Sequence, residues 1–161
     1  MKTVDILAFG AHPDDVELGC AGSIALSRSQ GKSVVIIDLT QGELGTRGNV
    51  KKRKEEANKA GKILGVSHRE NMNFRDGFFQ NDEAHQLALI AKIRSYRPQI
   101  ILCNAHNDRQ IDHGKANKLV NDSCFLSGLK KIETYDNTGN KHQACLLYTS
   151  DAADDTPCVD L

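Results

Sequence analysis

Residues 4–20 read VDILAFGAHPDDVELGC, and this stretch decides the fold. Val4 to Phe9 is a short apolar run of strand type, and Gly10-Ala11-His12-Pro13 ends it, with Pro13 fixing the turn. From Val16 to Gln30 the pattern changes period: Val16, Cys20, Ile24 and Ala25 recur at helical spacing, and the run stops before Gly31. Strand, loop and helix thus follow one another within about 25 residues, the opening of a βαβ unit.

The alternation repeats down the chain. Ser33 to Leu39 (SVVIIDL) is a buried-type strand rich in β-branched residues, and a loop with three glycines follows it, Thr40 to Asn49. Val50 to Leu64 reads as an amphipathic helix, with Ala57, Ala60, Ile63 and Leu64 on one face and Gly65 as its stop. Arg69 to Phe74 is a weakly marked strand. Asp82 to Tyr96 carries Leu87, Ile90, Ala91 and Arg94 in helical series, and Gln99 to Cys103 is a further buried strand behind Pro98. A polar loop, Asn104 to Asp112, leads to a last helix from Gly114 to Leu129. Strands alternating with helices imply right-handed crossovers and an α/β fold: a Rossmann-like, doubly wound, mostly parallel sheet.

The chain has 161 residues, 39% of them apolar and 26% charged, which suits one domain with a core of its own. No apolar run approaches the length of a membrane span, and the N-terminal residues lack the pattern of a signal peptide, so a cytoplasmic protein without a membrane partner is expected. Basic and acidic residues number 21 each, but the last 17 residues hold four Asp and no Lys or Arg. The remaining excess of basic residues is too small for a nucleic-acid footprint. Five cysteines without a CxxC suit a reducing compartment rather than a disulfide or zinc-finger framework.

Residues 145–155, CLLYTSDAADD, back-translate to a string that resembles the transposase adapter of short-read sequencing libraries. On that reading residues 1–144 are the native domain, truncated at its C-terminus, and 145–161 are a non-native tail. The alternative is an ordinary acidic C-terminal tail.

Ligands of open α/β sheets bind beyond the carboxyl ends of the strands, and two loops there concentrate His and Asp. Ala11-His12-Pro13-Asp14-Asp15 follows the first strand, and Asn107-Asp108-Arg109-Gln110-Ile111-Asp112-His113-Gly114 follows the strand ending at Cys103. If those strands are neighbours, His12, Asp15 and His113 converge. Two imidazoles, a carboxylate and a position left for water are the usual set for a catalytic zinc ion. Asp14 is then free to take the proton of an activated water. The competing reading is that Asp14 or Asp15 caps the helix behind it. Cys20 and Cys124 fall on apolar helical faces and read as core, while His68, His85 and His142 read as surface residues. His106 reads as solvated or structural.

AHPDD at 11–15, directly behind the first strand, resembles the signature of the LmbE/PIG-L family of metal-dependent N-acetylglucosamine deacetylases. GELGTRG at 42–48, RKEEA at 53–57, RDG at 75–77, DRxxDHGKA at 108–116 and CFLSGLKKI at 124–132 are similar to the bacillithiol-biosynthesis branch, which deacetylates N-acetylglucosaminyl-malate. The resemblance implies that His12, Asp15 and His113 hold Zn2+, with Fe2+ as the other candidate, and that Asp14 is the general base. It places Arg53 against the substrate. Asp112, beside His113, would orient that ligand or its neighbours. Arg47 would meet the malate carboxylates through its fork. The family carries a histidine three residues before its last ligand, and Gln110 stands there in this chain. Gln donates a hydrogen bond to an oxyanion but delivers no proton at neutral pH. The expected partner is a small-molecule N-acetylglucosaminyl substrate; family members often assemble as oligomers, so the resemblance leaves a homo-oligomer open for the full-length protein. Two rival readings stay open: an inactive fragment, and a non-catalytic module of the same fold that binds a sugar or nucleotide.

Overall fold

The structure is a computed structural model that describes residues 3–145 and 159–160. The tail from 146 to 158 and residue 161 lie outside the described residues, so the proposed tail boundary is visible only at Cys145, which is buried. Among the described residues five strands form the sheet: β1 (Ile6–Gly10), β2 (Val34–Thr40), β3 (His68–Phe74), β4 (Ile100–Cys103) and β5 (Val159–Asp160). The helices are α1 (Asp15–Ser29), α2 (Val50–Leu64), α3 (Glu83–Tyr96) and α4 (Ile111–Ser127).

The strand order is β3-β2-β1-β4-β5 with every described pairing parallel, so the expected doubly wound sheet is present. Its alternation sorts two hydrophobic layers. Ile6, Ala8, Val34, Ile36 and Leu102 point to one face and pack with Val16, Cys20 and Ile24 of α1. Leu7, Phe9, Val35, Ile37 and Ile101 point to the other, against Leu89 and Ile93 of α3 and Leu119, Val120 and Cys124 of α4. Strands buried on both sides carry continuous apolar runs for this reason. β3, at the sheet edge and only partly buried, is polar, which is why its sequence signal is weak.

Because β1 pairs with β2 on one side and β4 on the other, the loops behind β1 and β4 splay from a topological switch point. This is what places the His- and Asp-rich loops side by side.

Two local expectations are corrected. α4 begins at Ile111, three residues ahead of Gly114: its first turn holds an exposed Ile111 followed by Asp112 and His113, so no apolar spacing marks the start in the sequence. His142 is buried rather than at the surface: its ring lies 2.9 Å from Ser95 Oγ and 3.2 Å from Thr134 Oγ1. A polar sequence context hid two hydroxyl partners supplied by distant residues.

Arg69 on β3 ties the layers together beneath the β1 loop. Its guanidinium donates to both Asp38 carboxylate oxygens at 2.8 Å, to Glu17 of α1, to Ala57 O of α2 at 3.0 Å and to Pro13 O at 2.9 Å. Burial works against its charge, but Asp38 and Glu17 outweigh it and hold the arginine above its ordinary pKa. Arg69→Ala strands the buried carboxylate of Asp38 and the half-buried one of Glu17 and frees the Pro13 carbonyl. It is expected to lower unfolding stability by about 3–5 kcal/mol, read from urea denaturation.

Candidate metal centre

His12 comes from the turn between β1 and α1, Asp15 from the first position of α1, and His113 from the first turn of α4. His12 Nδ1 stands 3.5 Å from Asp15 Oδ2, and His113 Nε2 stands 3.2 Å from Asp15 Oδ1. Their three ligand atoms lie within 4.8 Å of one another, the spacing one divalent cation can bridge. Asp15 is locked in place: Asn104 Nδ2 donates to its Oδ2 at 3.0 Å, and the His12 amide donates to the same oxygen at 2.9 Å. Asn104 Oδ1 accepts from the Ala11 amide at 2.9 Å, so one side chain of the β4 loop clamps the β1 loop.

The capping alternative fails for both acids. Asp14 occupies the N-cap position of α1 but makes no side-chain capping bond, and the side chain of Asp15 faces back to His12. Asp14 is 57% exposed, with Arg53 Nη1 at 3.9 Å.

The outer edge of the His12 ring meets two further acids, with Nε2 at 3.0 Å from Asp76 Oδ1 and 3.5 Å from Asp112 Oδ2. Asp112 therefore faces His12 and not its sequence neighbour His113. Its other contacts are the Gly77 amide at 2.8 Å and Lys115 Nζ at 3.2 Å. Asp108 is the residue that holds His113, with Oδ2 2.8 Å from Nδ1. The Gln110 amide and the His113 ring keep Asp108 below the usual carboxylate range. Burial opposes a charge on His12, but Asp15, Asp76 and Asp112 outweigh it and lift the ring's pKa to about 9. Burial alone would raise Asp15, whereas its hydrogen bonds from His12 and Asn104 and the charge of His113 bring it below the ordinary value.

A crevice of about 380 Å3 opens beside His12, lined among others by Asp14, Arg53, Gln110 and Asp112, while Asp15 and His113 line a separate cavity of about 310 Å3 with Asn104 and Asp108. A further opening, of about 370 Å3, adjoins the crevice across Asp14 and Arg53 and is lined by Arg47 and Lys52. Arg53 packs against the glycine loop: a Cβ at Gly45 would come within 2.5 Å of its Nη2 and one at Gly42 to 3.0 Å of its Nη1, and the φ of +62° at Gly42 favours glycine by itself. Gln110 is exposed at the rim. The structure thus brings His12, Asp15 and His113 together, and sets Asp14, Arg53, Gln110 and Asp112 around the crevice that His12 also lines, with Arg47 at the adjoining opening. Cys20 and Cys124 are buried in the two cores, as their spacing predicts. No helix among the described residues is long and apolar enough to cross a membrane.

Two imidazoles and a carboxylate at the switch point of a parallel sheet make a candidate metal centre on a Rossmann-like α/β domain. The profile of one family, PIG-L: GlcNAc-PI de-N-acetylase, matches residues 7–124, and the chain belongs to that family. Diacetylchitobiose deacetylase of Thermococcus kodakarensis is 32% identical over 104 residues, 60% of this chain and 39% of that protein. The conserved protein TT1542 of Thermus thermophilus superposes with a TM-score of 0.77 at 37% identity, over 80% of this chain and 59% of that one. GalB, the 4-carboxy-2-hydroxymuconate hydratase of Pseudomonas putida, superposes with a TM-score of 0.72 at 25% identity, over 90% of this chain and 63% of that one. The chain spans less than two thirds of the length of each of these relatives. One fold thus serves two reactions, and the site has to decide between them.

Proposed function

We propose that this chain carries the catalytic core of a metal-dependent N-deacetylase. It hydrolyses the acetamide of an N-acetylglucosaminyl conjugate, with N-acetylglucosaminyl-malate as the substrate. The observation that carries the reading is the convergence of His12, Asp15 and His113, with the exposed carboxylate of Asp14 beside them. His12, Asp15 and His113 would hold Zn2+, or Fe2+ as the second candidate, since both accept imidazole and carboxylate ligands. Bound there, the cation would supply Lewis acidity to the amide carbonyl and acidity to water.

The chain's own groups do the rest. Asp14 accepts the proton of the attacking water and passes it to the departing glucosamine nitrogen. Gln110 donates a hydrogen bond to the developing oxyanion from the rim. Arg53 positions the sugar over the glycine loop, and Arg47 in the adjoining crevice takes the carboxylates of the aglycone. Asp112 keeps His12 in place.

The test is acetate release by the Zn2+- and Fe2+-loaded chain from N-acetylglucosaminyl-malate and from diacetylchitobiose, with 4-carboxy-2-hydroxymuconate offered in parallel. Acetate from the sugar conjugates supports the reading. Water addition to the muconate without acetate release replaces it with a hydratase. Arg47→Ala separates the aglycones. Loss of a charge-assisted pair should raise KM for the malate conjugate by about 10-fold and leave the neutral chitobiose unaffected.

A further inference from the structure

Asp76 and Asp108 have no role in the reading above, yet both touch the histidines of the candidate metal centre from behind. They belong to different segments, 32 residues apart in sequence, and they are used in the same way. Each divides its two carboxylate oxygens between a backbone amide and an imidazole. Asp76 Oδ2 accepts from the Leu44 amide at 2.9 Å, and its Oδ1 faces His12 Nε2 at 3.0 Å. Asp108 Oδ1 accepts from the Gln110 amide at 3.0 Å, and its Oδ2 faces His113 Nδ1 at 2.8 Å. The amide bond fixes each carboxylate, and the fixed carboxylate in turn fixes a ring. The Asp76 amide also donates to Glu43 Oε1 at 2.8 Å, so this residue is held from a second side.

The ring nitrogens left over, His12 Nδ1 and His113 Nε2, are the two that face Asp15. A ring whose outer nitrogen donates to a carboxylate keeps its hydrogen there and presents a bare lone pair at the inner one. We propose that Asp76 and Asp108 are positioning residues that select the ligating nitrogen of His12 and His113, each by a carboxylate–histidine pair. The inference rests on the metal reading above, and it assigns the pairing at opposite edges: hydrogen on Nε2 of His12 and on Nδ1 of His113.

Asparagine makes a sharp probe, because its single carbonyl oxygen can keep only one of the two bonds. In Asp108→Asn the oxygen retained by the Gln110 amide leaves an N–H facing His113 Nδ1, donor against donor. In Asp76→Asn the Leu44 amide and His12 Nε2 stand in the same conflict. The full chain is titrated with Co2+, followed by its visible absorption, with Zn2+ as competitor; thermal melts of the metal-free proteins run alongside. Each variant is expected to raise the Co2+ dissociation constant by about 10- to 100-fold and to change the absorption band. Asp108 is exposed, so Asp108→Asn is expected to melt with wild type and separates ring orientation from folding even if Asp76→Asn unfolds. In the Zn2+-loaded wild type, two-bond nitrogen–proton correlations should place the ring hydrogens on His12 Nε2 and His113 Nδ1.

Co2+ affinity in Asp108→Asn within about two-fold of wild type, when His113→Ala has lost it, overturns the assignment and leaves the metal reading standing. So does the opposite tautomer on either ring. A wild-type chain that takes up neither Co2+ nor Zn2+ overturns the metal reading itself, and this assignment with it.

Discussion

Asp14→Asn is expected to lower kcat by about 100- to 10,000-fold while leaving affinity for Zn2+ or Co2+ close to that of wild type. The two halves of this result have separate structural causes. Asp14 is not among the three groups whose ligand atoms converge, and it pairs instead with Arg53 at 3.9 Å. Removing its charge therefore takes nothing from the ligand set. Asparagine has the same shape, so the turn into α1, to which the Asp14 side chain contributes no capping bond, keeps its geometry. What disappears is the one carboxylate of the β1 loop that reaches solvent and can exchange a proton with substrate and water. Asp76 and Asp112 line the same crevice, but each is buried and already holds a backbone amide and the His12 ring. Neither is free to replace Asp14. Steady-state kinetics with a parallel metal titration check both halves. Unimpaired turnover in Asp14→Asn would remove the general base from the mechanism, and loss of metal affinity would make Asp14 a ligand.

The division between what the sequence shows and what it hides follows from how far apart the partners lie. Each helix and strand up to α4 is written in its own periodicity, and most ends fall within a residue or two of the expected place; β1 starts two residues late. The His12–Asp15 turn is legible too, because all its residues sit in five consecutive positions behind a strand. Convergence with His113 needs only the neighbouring placement of β1 and β4, which the βαβ rules supply. Asp76 is different. It lies 64 residues from the ring it holds, on a turn with no periodicity of its own. Its RDG context gives a motif without a direction. Arg69 sits in a weak edge strand and gains its four partners, Asp38, Glu17, Ala57 and Pro13, only when α1, α2 and β2 close around it. Asp112 shows the limit from the other side: adjacency in sequence suggests His113, but successive positions on a helix point about 100° apart, and the carboxylate swings to His12. Asp108, five residues before His113 and outside the helix, is the one that curls back to it.

Gln110→His is expected to raise kcat by about 100-fold and to add a falling limb near neutral pH to its pH profile. The position suits the gain. Gln110 is exposed at the N-terminus of α4, makes no side-chain capping bond and lines the crevice with His12 and Asp14. A histidine there loses no existing side-chain hydrogen bond and faces the crevice that His12 and Asp14 line. The fold should tolerate it within about 0.5 kcal/mol, as for surface substitutions away from special features. Its chemistry would be new: an imidazolium donates to the oxyanion as Gln does, and it also has a proton to give to the leaving amine. With Gln110, that proton has only one source, Asp14, which must first collect it from water and then carry it across the collapsing intermediate. A second acid relieves Asp14 of the return step. The rise in kcat should therefore be largest for the conjugate whose amine is the poorest leaving group and should shrink as the leaving group improves. A uniform lack of gain across such a series would mean that proton delivery by Asp14 never limits turnover, and that glutamine costs this enzyme nothing.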